Sequence, residues 1–133
     1  MTRTAVSSEQ APEALGPYSQ AIVAGGLVFC SGMAGIEPAT GAIADGIEAQ
    51  TEQALLNLAA VLSAAGSSME DVVKTTIFYA DVDDFGRLNE VYARHVPDPP
   101  PARSAPANVR LPRGLLVSIE AIAVAPAPVD VVS

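Results

Sequence analysis

The sequence contains no tryptophan, one cysteine (Cys30) and one histidine (His95). A lone cysteine forbids an intrachain disulfide, and with a single histidine it cannot assemble a Cys/His zinc site within one chain. Positive charge is also scarce. Seven Lys and Arg stand against fifteen Asp and Glu, for a formal net charge of −8 at pH 7 and a pI near 4.3. Non-specific nucleic-acid binding depends on Lys and Arg neutralising phosphates. The seven cations (Arg3, Lys74, Arg87, Arg94, Arg103, Arg110, Arg113) form no stripe, so no nucleic-acid partner is expected. No stretch reaches the roughly 20 apolar residues of a membrane span. The N-terminal MTRTAVSSEQ lacks the apolar run of a secretory signal. The expectation is a cytoplasmic location with no membrane partner. No P-loop, dinucleotide fingerprint or nucleophile elbow occurs. With no cofactor and no metal expected, chemistry must come from carboxylate, guanidinium, hydroxyl and backbone groups.

Apolar residues make up 50% of the 133, whereas charged ones make up only 17%, and mean hydropathy is +0.33. That surplus of apolar surface points to cover by further copies of the chain. The length suits one domain, 1–133, with the Pro-punctuated tail 125–133 expected to fray.

Ala21–Val23 and Leu27–Ser31 read as strands joined across Gly25-Gly26, and Pro38 to Gly41 as a turn. Asp45 and Glu48 have capping-box spacing. Ile47, Ala54, Leu55, Leu58, Val61, Leu62 and Ala65 then recur at helical spacing until Gly66. Val72–Ala80 is a β-branched, aromatic strand. Asp81, Asp83 and Asp84 favour a second helix start, with Phe85, Leu88, Tyr92 and Val96 as its apolar face and Pro97 as its stop. Arg103–Val109 and Leu115–Ala125 close the series as strands. The order ββαβαββ, with an additional N-terminal strand left open, predicts an α+β fold: a mixed β-sheet of about six strands with two helices on one face.

Within Leu115–Ala125, LLVSIEAIAVA, Glu120 is the only charged residue. Carboxylates are almost never fully buried unless paired, and desolvating one costs roughly several kcal/mol. The upstream cation suited to it is Arg103, in Pro101-Ala102-Arg103-Ser104. A hairpin turning near Leu111-Pro112 would make Arg103 and Glu120 near neighbours across the sheet. Glu120 reads either as a catalytic group or as a structural carboxylate bonded to nearby backbone. Arg103 reads either as a ligand's carboxylate anchor or as an interface ion-pair residue. Cys30 alternates away from Ser31 and reads as a small apolar packer. His95, near a helix end, suits stabilisation of that terminus.

The segments PARS (101–104), LP (111–112) and IEAIA (119–123) resemble the Rid family of reactive-intermediate deaminases, RidA-type branch. Gly16-Pro17-Tyr18-Ser19-Gln20, Ser31-Gly32, Pro38-Ala39-Thr40-Gly41, Val73-Lys74-Thr75-Thr76 and Asn89-Glu90-Val91-Tyr92 match further blocks in order, covering about Ala11 to Val124. The resemblance implies a chorismate-mutase-like sandwich assembled as a homotrimer, with ligand clefts between subunits and no cofactor. It implies hydrolysis of 2-imino and enamine acids to 2-oxo acids and ammonia, as by a 2-iminobutanoate/2-iminopropanoate deaminase. By position, Arg103 would grip the substrate carboxylate and Glu120 would position the attacking water. Tyr18, Ser31, Gly32, Asn89 and Ala105 fall on cleft positions. The chain departs from the family pattern at Met33, where Gln is common after Ser-Gly, at Ala105, where Cys is common, and at Pro106. Two rival readings follow: a small-carboxylate binding or regulatory module without turnover, and a ribonuclease or translation inhibitor, which the acidity and the lack of a histidine pair disfavour.

Overall fold

The computed structural model describes residues 2–126; of the tail expected to fray, 127–133 lie outside them. The elements in chain order are β1 (Thr4–Val6), β2 (Ala21–Ala24), β3 (Leu27–Ala34), α1 (Gly46–Ala64), β4 (Val72–Tyr79), α2 (Phe85–Ala93), β5 (Ala102–Ser104) and β6 (Val117–Val124). The strands form one six-stranded sheet in the order β1-β2-β3-β6-β4-β5. Every pairing is antiparallel except β4 with β5, which is parallel. Both helices pack on one face. The core there contains Val28, Leu55, Leu58, Leu62, Ile77, Leu88, Val117 and Ile119, all fully buried.

Local chemistry explains most of this. Gly25 and Gly26 take φ of 59° and 78°, the positive values that a two-residue turn between twisted strands requires. Helix α1 buries Ile47, Ala54, Leu55, Leu58, Val61 and Leu62, the stripe its apolar spacing predicts. Its end is a Schellman arrangement, in which Gly66 N–H donates to Ser63 O and Ser67 N–H to Leu62 O. The capping box does not form: Asp45 is the N-cap, but its side chain makes no capping hydrogen bond. Three buried polar residues of α1 are satisfied internally. Asn57 Nδ2 donates to Ala34 O and Ile36 O, Thr51 donates to Ile47 O, and Gln50 Oε1 accepts from Leu116 N–H.

Two expectations about the C-terminal half are corrected. The strand expected over Arg103–Val109 is only Ala102–Ser104, so Pro106 lies outside it. Nor do β5 and β6 form a hairpin. Strand β4 lies between them, with Thr75 opposite Arg103 on one side and Thr76 opposite Glu120 on the other. β5 runs parallel to β4, a pairing that needs a crossover, and α2 supplies it.

Candidate functional site

Glu120 is exposed, so the burial cost that its apolar surroundings in sequence suggested does not arise. Along β6, Val117, Ile119, Ala121 and Ala123 point into the helix-covered core, while Ser118, Glu120, Ile122 and Val124 point to the other face. The run holds apolar residues on both faces, so its period of two was hidden in composition. On that open face Glu120 has Thr76 on one side. On the other, the pairing of β3 with β6 slips between Cys30, opposite Ala121, and Met33, opposite Ile119. Ser31 and Gly32 together therefore oppose Glu120, a β-bulge of the kind that re-aims side chains beside active sites.

Arg103 lies on the opposite face. Its register partner Thr75 is fully buried and bonds Tyr92 Oη at 2.6 Å, which places both β5 and its arginine against α2. The guanidinium carbon stands 5.5 Å from the Phe85 ring centroid and 5.0 Å from that of Tyr92, and Nη1 donates to Asn89 Oδ1 at 2.7 Å. Phe85, Asn89 and Tyr92 are spaced by four and then three residues, one stripe of α2. Two aromatic faces attract the cation and one amide orients it. A guanidinium has five N–H donors; among the described residues Arg103 uses one hydrogen bond and meets no carboxylate. Its fork therefore keeps donors that a ligand carboxylate can take in pairs.

The structure thus brings Arg103 and Asn89 together and separates both from Glu120, because β5 and β6 present these residues to opposite faces. Of the other expected residues, Ser31 and Gly32 sit beside Glu120, Tyr18 shares a cavity with Gly32, and Ala105 stays with Arg103. Ser31 Oγ donates to Ser19 O at 2.6 Å and Ser31 N–H to Gln20 O, so this hydroxyl ties the segment after Tyr18 to β3. At Gly32 a Cβ would fall 2.5 Å from Ser118 Oγ, so a side chain there would force that hydroxyl to turn away. Tyr18 is 52% exposed, and its hydroxyl accepts from Leu15 N–H at 3.3 Å. Tyr18, Gly32 and Ser118 line one cavity of about 350 Å³. Ala105 is half-buried and packs against the core beside Arg103.

Sequence reasoning missed the Arg103 box, since Phe85 and Tyr92 read as core-facing residues of α2. Tyr92 is buried but Phe85 is 39% exposed. The signal available was an asparagine at helical spacing between two aromatics. It also missed Gln20, which is buried. Its side chain accepts from Ser8 N–H and donates to Pro12 O and Ser8 O, pinning the loop that carries Tyr18. Burial pushes the Cys30 thiol up to about 12, in keeping with an inert core position. His95 Nε2 lies 2.7 Å from Glu52 Oε1, linking the end of α2 to α1.

A mixed sheet with two helices on one face, a carboxylate on the other and a boxed guanidinium at its edge strand defines a chorismate-mutase-like α+β protein equipped to hold a small carboxylate. The chain belongs to the Rid family: the family model described as Endoribonuclease L-PSP matches residues 8–125. It is 50% identical over 119 residues to Reactive Intermediate Deaminase A, chloroplastic, of Arabidopsis thaliana, covering 89% of this chain and 64% of that protein. It is 44% identical over 123 residues to the 2-iminobutanoate/2-iminopropanoate deaminase of Mus musculus, covering 92% of this chain and 91% of that one. Among solved structures, E. coli TdcF with bound serine superposes with a TM-score of 0.86 at 38% identity, over 91% of this chain and 98% of TdcF.

Proposed function

We propose that the protein hydrolyses 2-imino acids, and the enamine acids that tautomerise to them, to 2-oxo acids and ammonia. It does so in clefts formed where Arg103 and Asn89 of one copy meet Glu120, Gly32 and Tyr18 of another. The observation that carries this reading is the placement of Arg103 and Glu120 on opposite faces of one sheet, each without a charged partner among the described residues. Within one copy they cannot meet on one ligand; across two copies they can. The deaminase names of two relatives and the serine held by TdcF support the same substrate chemistry.

In this reading the guanidinium fork of Arg103 takes the substrate carboxylate through two parallel hydrogen bonds, which fixes the imino carbon. Glu120 accepts a proton from water as the water oxygen bonds to that carbon, and the C=N π electrons move onto nitrogen. The proton held by Glu120 passes to the nitrogen of the resulting carbinolamine. Glu120 next takes the hydroxyl proton of the carbinolamine and delivers it to the nitrogen as the C–N bond breaks, so that ammonia leaves and the oxygen becomes the carbonyl of the 2-oxo acid. Orientation and one positioned base suffice, because the C=N carbon is already electrophilic.

The test is to generate 2-aminoacrylate with a serine dehydratase while trapping the imine as its semicarbazone. Wild-type protein is expected to lower trapping and speed oxo-acid release; no effect on any of several imino acids rejects the reaction. The same preparation is assayed against RNA, since the family description names an endoribonuclease. RNA cleavage that disappears in Arg103→Ala would assign the cleft to that chemistry instead.

A further inference from the structure

We propose that Lys74 is the positioning residue for Glu120: its ammonium pairs with the carboxylate on the open face of the sheet, aims it and keeps it ionised for its work as a base. The inference rests on the reaction proposed above and on cover of this face by other copies. Along β4, Thr75, Ile77 and Tyr79 are buried toward the helices, which turns Lys74, Thr76 and Phe78 to the open face. There Lys74 stands opposite Ile122 and Thr76 opposite Glu120. Lys74 and Glu120 are therefore diagonal neighbours on adjacent antiparallel strands, about 7–8 Å apart and within reach of a long side chain.

The rest of the face leaves each of them one choice of partner. Glu120 is otherwise flanked by Thr76 on β4 and by Ser31 and Gly32 on β3. Lys74 has Ala102 of β5 on its other side, and Phe29 of β3 lies beyond Ile122. Among the described strand residues pointing this way, Lys74 is the sole cation and Glu120 the sole acid. In a single copy both reach solvent, Lys74 half-buried and Glu120 exposed. Cover by another copy takes hydration from both. An ion removed from water is costly unless it is paired, and a carboxylate left there without a cation neutralises by taking up a proton. A protonated Glu120 could not accept one from water. Arg103 does not fill the role, because its free donors go to the substrate carboxylate. A lysine does, as a compact charge on a flexible stem.

The experiment is a double-mutant cycle with two readouts. In the 2-aminoacrylate assay, Lys74→Met is expected to lower kcat about tenfold, a part of the ~10²–10⁴ that a general base supplies, with KM changed less. Lys74→Arg is expected to recover most of that loss, which a packing role for the lysine stem would not produce. In thermal denaturation of the assembled protein, the Tm of the Lys74→Met, Glu120→Gln double variant should fall by less than the sum of the two single losses, as for residues in contact. Additive Tm losses, a Lys74→Met enzyme with wild-type kcat, or a Lys74→Arg enzyme no better than Lys74→Met would overturn the pairing. If the wild type hydrolyses no imine while the Tm cycle shows coupling, the ion pair stands and the reaction falls.

Discussion

At the scale of single residues, the proposed reaction divides binding and chemistry between Arg103 and Glu120, and kinetics can separate them. Hydrogen bonds to charged groups contribute about 1.5–3 kcal/mol, so Arg103→Ala is expected to raise KM by roughly ten- to a hundredfold. Glu120→Gln is expected to lower kcat by about 10²–10⁴, the usual range for a general base, with little change in 2-oxo acid affinity. Equal effects of the two substitutions on KM would contradict that division. Cys30 offers a separate check. Its thiol moves from 9.0 in the unfolded chain to about 12 in the fold, so the unfolded state ionises first. The stability present below pH 9 is therefore lost as pH rises toward 12. The difference in denaturation midpoint between wild type and Cys30→Ala should narrow over that window; a constant difference would show that the thiol titrates normally. Much of this was legible in the sequence. Cys30 alternating away from Ser31 marked it as a packer, and an unmatched charge within LLVSIEAIAVA marked Glu120. Its exposure was not legible, because Ile122 and Val124 on the outer face read the same as Val117 and Ile119 on the inner one.

At the scale of elements, the loop before β2 carries Tyr18 and is held by one buried side chain. Gln20→Ala would strand the Ser8 N–H and the Ser8 and Pro12 carbonyls it now serves. An unsatisfied buried polar group costs about 1–3 kcal/mol. Hydrogen exchange over residues 8–18 should quicken in Gln20→Ala while that of α1 is unchanged, and KM should rise with kcat largely kept. Uniform acceleration along the whole chain would show instead that Gln20 supports the fold at large. The helix α1 was legible because seven apolar positions repeat over five turns and a glycine ends them. The partnership of β5 with β4 was not. Three residues of strand carry little periodic signal, and adjacency in sequence favoured pairing with β6. The box around Arg103 was hidden for a related reason: an aromatic stripe on a helix reads as core whether it meets leucine or a guanidinium.

At the scale of the whole molecule, the sheet has one face under helices and one without them. On the open face Ile22, Phe29 and Ile122 stand side by side in register, with Phe29 42% and Val124 44% exposed. This row answers to the apolar surplus in the composition, and cover by other copies is the proposed reason for it. The same assembly would carry an Arg103 edge of one copy to the Glu120 face of the next. Sites built that way make a quantitative demand. If every site takes its arginine from one copy and its glutamate from another, two inactive variants complement. Arg103→Ala and Glu120→Gln subunits are co-expressed with distinct tags, mixed oligomers are isolated, and imine hydrolysis is measured. In a cyclic trimer, either mixed composition leaves one intact site among three, so roughly a third of wild-type activity should return. Mixed oligomers as inactive as either parent would contradict a site shared between copies.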